Sequence, residues 1–218
     1  MLKSGVLIPA EVGQHGELLA DARALEAAGA HALWLDEGTH DPWMLAATLA
    51  TVTSRVRLGV IVTHRIDPVG LGSRLRTLDA LSRGRVALRA PVLSVGTAHA
   101  LGRSMERCQL FAEADGDGAA AFGGLLDGLI LPGREPAEDR GRIQQAISAA
   151  GPGRTSAPLE CWVRAKLPES QASWRRTLAD YEAAGAQGLL VPFDPRLVDL
   201  LRRADEEDDR SDLTLTQG

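Results

Sequence analysis

Residues 32–43 read Ala-Leu-Trp-Leu-Asp-Glu-Gly-Thr-His-Asp-Pro-Trp, and residues 56–63 read Val-Arg-Leu-Gly-Val-Ile-Val-Thr. The first stretch is a short apolar run that ends in acidic and polar residues. Asp41 and Pro42 then supply a helix N-cap and a first-turn proline, and an apolar stripe with helical spacing follows. The second stretch is apolar almost throughout, which is typical of a parallel strand covered on both faces. The order strand, loop, helix, strand predicts one unit of a parallel α/β sheet.

The same alternation of strand and helix recurs along the chain. After the third helix, residues 92–103 read as a loop, and the apolar spacing of Met105, Cys108 and Ala112 favours one short helix. Alternation of this kind predicts a parallel sheet with helical crossovers, either closed as a barrel or open and doubly wound. We favour a TIM-like (β/α) barrel of about seven units in a single domain over residues 1–204, followed by an acidic tail over residues 205–218. The strand candidates are residues 5–10, 32–36, 56–63, 85–90, 128–131, 159–166 and 188–193.

The charge, the cysteine content and the motifs of the sequence disfavour several classes of partner and binding site. The 218 residues include 24 Lys and Arg against 29 Asp and Glu, a net charge of -5 that disfavours nucleic-acid and anionic-membrane partners. Cys108 and Cys161 are isolated and show no metal-ligand spacing, so we expect no metal site and a reducing cytoplasm. No stretch reads as a transmembrane helix or a signal peptide. No phosphate-binding loop or dinucleotide fingerprint is present.

The N-terminal part of the chain resembles the luciferase-like flavin-dependent monooxygenase family. Trp34 and Glu37 match the end of the family's second strand, and residues 41–42 match its Asp-Pro helix start. Residues 53–55 and 57–59 match the family's Thr-Ser-Arg-x-Arg-Leu-Gly segment. Residues 77–85, Thr-Leu-Asp-Ala-Leu-Ser-Arg-Gly-Arg, match the family's third helix and fourth strand. The resemblance implies a barrel, usually dimeric through helices two and three, that binds FMN or a deazaflavin coenzyme at the C-terminal rim. It also implies oxidation or reduction of a small organic substrate.

Two departures from the family pattern leave a second interpretation open. Gly38 stands where the family has a histidine, and residues 89–91, Arg-Ala-Pro, replace a Gly-x-Gly turn. Much of the family's insertion between strands four and six is also missing, although the family includes a shortened flavoprotein. The chain is therefore either a flavin- or deazaflavin-dependent oxidoreductase or a non-catalytic barrel that has lost its cofactor and serves as a structural or partner subunit.

Three cations are the candidate cofactor-binding groups. Strand alternation places Arg164 and Lys166 on one side of a strand, and Arg89 points inward by the same parity. Such cations could hold a cofactor phosphate or an acidic substrate. The alternative is that they pair with carboxylates in a barrel that binds nothing, and the candidate partners are Asp36, Glu37 and Glu160.

Polar residues that follow strands two and three are the catalytic candidates. Glu37 and Thr63 match family positions near the cofactor, so we assign Glu37 a catalytic role and Thr63 a cofactor-binding role. His64 follows the third strand and is a candidate for proton transfer, since histidine titrates near neutral pH. His40, beside a helix cap, reads as a rim residue with a structural hydrogen bond, and Trp34 reads as a packing residue.

Overall fold

Eight parallel strands close into a barrel in which each strand pairs with the next along the chain and the last pairs with the first. The computed structural model describes residues 1–11, 15–63, 68–89, 107–113, 116–122, 124–154 and 158–202. The prediction of a TIM-like barrel is confirmed. The strands are β1 (Lys3–Pro9), β2 (Ala32–Asp36), β3 (Arg57–Ile61), β4 (Val86–Arg89), β5 (Gln109–Glu113), β6 (Gly128–Leu131), β7 (Glu160–Arg164) and β8 (Gly188–Pro192).

Within the described residues, a helix follows every strand except β4. Helix two begins as its sequence predicts, because the Asp41 carboxylate accepts the backbone N–H of Trp43 at 2.8 Å and Pro42 occupies the first turn. No helix among the described residues is long and apolar enough to cross a membrane. The helices are α1 (His15–Ala27), α2 (Pro42–Val52), α3 (Pro68–Ser82), α4 (Gly116–Ala120), α5 (Pro136–Ala150), α6 (Gln171–Ala184) and α7 (Leu197–Arg202).

The count of seven units is wrong by one, because the segment predicted as a short helix contains β5. Cys108 and Ala112 are four residues apart, a spacing that fits one face of a helix and also every second residue of a strand. In the structure Cys108, Leu110 and Ala112 face the helices, whereas Phe111 points into the barrel. β5 pairs with both β4 and β6, so the barrel closes through it.

Aromatic side chains fill the middle of the barrel. Trp34, Phe111 and Trp162 are fully buried there, and the rings of Trp34 and Phe111 meet edge to face with centroids 5.2 Å apart. Glycines on neighbouring strands make room for them: a Cβ atom at Gly59 would lie 2.2 Å from the Trp34 ring, and one at Gly128 would lie 2.2 Å from the Phe111 ring. The barrel interior is a packed core and leaves no space for a ligand between its two ends.

Candidate active site

The C-terminal ends of the eight strands form one rim, which is where parallel barrels carry their active sites. Most of the predicted site residues lie on this rim. Glu37 follows β2, Thr63 follows β3, Arg89 ends β4 and Arg164 ends β7. His64 and the predicted acidic tail lie outside the described residues, and so do Ala90 and Pro91 of the segment that replaces the glycine turn.

Glu37 and Thr63 are joined directly. The Glu37 carboxylate accepts the backbone N–H of Thr63 at 2.8 Å and, through its other oxygen, the Thr63 hydroxyl. On the preceding strand end, the Asp36 carboxylate accepts the backbone N–H of Glu37 at 2.9 Å. These contacts fix the Glu37 side chain against the end of β3, so its carboxylate is positioned before any ligand binds.

Two inward arginines share one carboxylate in the barrel mouth. Arg89 forms an ion pair with Glu113, and Nη2 of Arg164 lies 3.8 Å from the same Glu113 oxygen. The Arg89 side chain is 8% exposed. Burial and the nearby charge of Arg164 lower the pKa of Arg89 to about 10, against the opposing effect of Asp36 and Glu37. One carboxylate therefore balances two guanidinium groups at this depth.

The ion pairs of these arginines in the described part of the chain are with Glu113, which is not among the predicted partners. Glu160 begins β7 and lies at the opposite end of the barrel, where it pairs with Lys3 and Arg57. Asp36 and Glu37 attract the positive charge of Arg89. Glu113 is not among the predicted partners, because the spacing of Met105, Cys108 and Ala112 predicts a helix where the structure has β5. The polar residues that flank the short apolar run 110–112 were the available signal of a strand.

The Arg164 guanidinium carries unused hydrogen-bonding capacity. Its Nε and Nη2 atoms are buried, and neither has a hydrogen-bond partner within the described part of the chain. A buried donor left unsatisfied costs about 1–3 kcal/mol, and more when the group is charged. An anion placed against Arg164 would remove that cost.

Lys166 occupies a different position from the one that strand parity predicts. β7 ends at Arg164, so the alternation of strand faces stops before Lys166, whose side chain is exposed. Lys166 and Arg164 line a cleft of about 720 Å³ beside the ends of β6, β7 and β8, together with Arg134 and Tyr181. The Tyr181 hydroxyl donates to the Arg134 carbonyl at 2.8 Å, which fixes one wall of this cleft. The three predicted cations therefore divide between the barrel mouth and an adjacent cleft, and Arg164 lines both.

Gly38 stands at a position that has no space for a side chain. A Cβ atom there would lie 2.6 Å from the Ala10 carbonyl oxygen and 2.8 Å from its carbonyl carbon. The backbone N–H of His40 donates to the same oxygen at 2.9 Å, and His40 Nδ1 lies 3.3 Å from it. The chain after β2 is thus bound tightly to the end of β1, and the histidine expected from the family pattern cannot be accommodated at residue 38 in this backbone conformation.

Comparison with known proteins supports the family resemblance for the N-terminal part of the chain. Residues 2–90 match the sequence profile of the luciferase-like monooxygenase family. Uncharacterized proteins of Mycobacterium tuberculosis and Mycobacterium bovis are each 42% identical over 52 residues, which is 23% of this chain. The matched segment spans only 18% of the length of those relatives.

Solved structures share the barrel over most of the chain. An F420-dependent secondary alcohol dehydrogenase in complex with an F420-acetone adduct is 12% identical, with a TM-score of 0.68 over 93% of this chain and 98% of that one. DmoA from Hyphomicrobium sulfonivorans is 13% identical, with a TM-score of 0.58 over 84% and 64%. A tryptophan synthase alpha subunit from Legionella pneumophila is 10% identical, with a TM-score of 0.67 over 93% and 92%. These likenesses establish the fold, and the fold alone does not select a reaction.

Proposed function

We propose that the protein is an oxidoreductase that uses FMN or a deazaflavin coenzyme to act on a small organic substrate. The observation that carries this proposal is the Arg164 guanidinium, whose Nε and Nη2 atoms are buried without a hydrogen-bond partner among the described residues. It lies at the rim of a barrel whose first ninety residues match the luciferase-like family. Both coenzyme types carry phosphate, and a guanidinium binds phosphate through two parallel hydrogen bonds.

The residues present fit the phosphate end of such a coenzyme. Arg164 would hold the phosphate, with Arg89 as the second cation in the barrel mouth or Lys166 as the second cation in the adjacent cleft. Glu37 with Thr63 would lie beside the ring, as the family resemblance implies. The bound coenzyme would supply the electron-transfer chemistry. The chain's own contribution is to bind and orient: Thr63 holds the Glu37 carboxylate in one position, and Glu113 keeps the two arginines close together.

A non-catalytic barrel is the second candidate, and two observations favour it. Gly38 packs against the Ala10 backbone, so the family histidine has no place at residue 38. Glu113 already neutralises part of the charge of Arg89 and Arg164. In this alternative the arginine pair is a structural network that fills the mouth, and the protein serves as a structural or partner subunit.

Coenzyme binding separates the two candidates. The purified protein would be titrated with FMN and with F420 while absorbance and the thermal unfolding midpoint are followed. The proposal predicts saturable binding of one coenzyme and a rise in the midpoint, because a ligand that binds only the folded state stabilises it. If neither coenzyme binds, the oxidoreductase assignment is abandoned for the isolated chain.

We also propose a homodimer formed through α2 and α3 in a reducing cytoplasm. The proposal rests on the family resemblance, and Met44 on α2 (67% exposed) and Leu81 on α3 (49% exposed) are the large apolar side chains that such a contact would cover. The buried free thiols of Cys108 and Cys161 support the reducing setting. Light scattering should give a dimer for the wild type and a monomer for Met44→Glu, and a wild-type monomer at micromolar concentration would contradict the dimer.

A further inference from the structure

A second cationic site lies at the N-terminal end of the barrel, opposite to the candidate active site. A cavity of about 310 Å³ opens there beside the first residues of β1, β3 and β5 and beside Trp162 of β7. Arg57 stands over the rings of Phe111 and Trp162 at 5.6 and 5.8 Å, so the cavity floor is the packed aromatic core. Its basic lining residues are Lys3, His31, Arg55, Arg57, Arg85 and Arg107.

Glu160 balances only part of the charge at this end. Its carboxylate accepts hydrogen bonds from Lys3 Nζ at 2.5 Å, from Arg57 Nη1 at 2.8 Å and from Trp162 Nε1 at 2.9 Å. Although burial alone would raise the pKa of Glu160, Arg57 and Lys3 lower it to about 2, so Glu160 is negatively charged at neutral pH. One negative charge therefore faces two cations.

The other arginines of the cavity form no ion pair with a carboxylate in the part of the chain that the structure describes. Arg85 donates to the carbonyl oxygens of residues 82, 56 and 53, at 2.7, 2.6 and 3.0 Å. Arg107 is exposed, and its aliphatic stem lies beside Gly84. Glu26 lies near Arg55, but its carboxylate accepts the backbone N–H groups of residues 54–56. Among the described residues, five cations thus lie near two carboxylates, Glu26 and Glu160, a local excess of positive charge in a chain whose net charge is -5.

We propose that this cavity binds a compact, multiply charged oxyanion of the phosphate class. Its volume is at the lower end of the range for small-molecule sites, which suits an ion of the size of pyrophosphate. Guanidinium groups are the preferred donors for phosphate oxygens. Arg57 and Arg107 come from different parts of the chain, so a bound anion bridges the starts of β3 and β5 and stabilises the closed barrel. The packed aromatic layer separates this site from the proposed coenzyme site.

Inorganic pyrophosphate is the probe, titrated at constant ionic strength and followed by calorimetry and by thermal unfolding. We expect saturable binding that depends on Arg107 and a rise in the unfolding midpoint that sodium chloride does not reproduce. Arg107→Glu should weaken binding at least tenfold, on the scale of about 1.5–3 kcal/mol for a hydrogen bond to a charged group. Because Arg107 is exposed and forms no hydrogen bond among the described residues, this variant should fold normally.

Two control variants make the result specific. Arg196→Glu makes the same charge change at an exposed arginine that pairs with Asp194, and it should leave pyrophosphate binding within about twofold of the wild type. Arg164→Ala tells the two phosphate sites apart, because pyrophosphate bound at the proposed coenzyme site would lose affinity in this variant and keep it in Arg107→Glu. Absence of saturable binding, an equal loss in Arg107→Glu and Arg196→Glu, or a loss in Arg164→Ala with none in Arg107→Glu would each overturn the proposal. Failure of coenzyme binding would not affect it.

Discussion

The Glu37 carboxylate accepts both the backbone N–H and the side-chain hydroxyl of Thr63, and these two hydrogen bonds join the ends of β2 and β3 at the barrel rim. Glu37→Gln replaces one accepting oxygen with an amide donor, and Thr63→Val removes the hydroxyl. Each change should lower the free energy of unfolding by about 1 kcal/mol. The double variant should lose less than the sum of the two, because both changes remove the same contact. Urea denaturation of the four proteins measures this coupling, and strictly additive losses would contradict it.

The aromatic core of the barrel depends on glycines with no room for a methyl group. Gly59→Ala would place a Cβ atom 2.2 Å from the Trp34 ring, so we expect a loss of about 1–3 kcal/mol in the free energy of unfolding. Gly141→Ala is the matched control: it lies within α5 with nothing within 4 Å, and alanine should stabilise the helix by about 0.5–1 kcal/mol. A Gly59→Ala protein at least as stable to denaturation as the wild type would show that the interior is not closely packed.

Placing the family's histidine at residue 38 should destabilise the folded protein. Gly38→His forces a Cβ atom to within 2.6 Å of the Ala10 carbonyl oxygen, a backbone atom that cannot rotate away. We expect a loss of stability of about 1–3 kcal/mol and no gain in coenzyme affinity. A Gly38→His protein that unfolds at the wild-type midpoint and binds coenzyme more tightly would show that the end of β1 can move.

Low pH should lower the free energy of unfolding, because Glu160 becomes protonated. Its pKa is lowered from 4.5 to about 2 in the folded protein, so the unfolded chain binds this proton more readily. The stability that Glu160 provides is fully present above about pH 4.5 and is lost as the pH falls toward 2. After allowance for solvent screening, its contribution should be about 1–2 kcal/mol.

This contribution is measured by following the free energy of unfolding between pH 6 and pH 2 in the wild type and in two variants. Glu160→Gln should flatten the part of the profile below pH 4.5 relative to the wild type. Glu169→Gln removes an exposed carboxylate and should leave the profile unchanged. A Glu160→Gln profile that runs parallel to the wild type would contradict the role of this ion pair.

Capping residues and apolar spacing predict most of the strands and helices. The features they do not predict depend on contacts between residues far apart in the sequence. Asp41 and Pro42 identify the start of α2 because capping involves only neighbouring residues. β5 was missed because spacing alone cannot distinguish its outer residues from one face of a helix. Glu113 was missed with it. The N-terminal cavity could not be predicted either, since barrel closure brings its cations together from residues 3 to 107.

The most direct test of the central claim is the affinity of Arg164→Ala for the coenzyme that the wild type binds. If the buried Arg164 nitrogens hold a coenzyme phosphate, the dissociation constant should rise by one to two orders of magnitude, the equivalent of about 1.5–3 kcal/mol for a charge-assisted hydrogen bond. Arg196→Ala, at an exposed arginine, should bind as the wild type does. An unchanged affinity in Arg164→Ala, together with a lower unfolding midpoint, would contradict the account and favour the non-catalytic barrel.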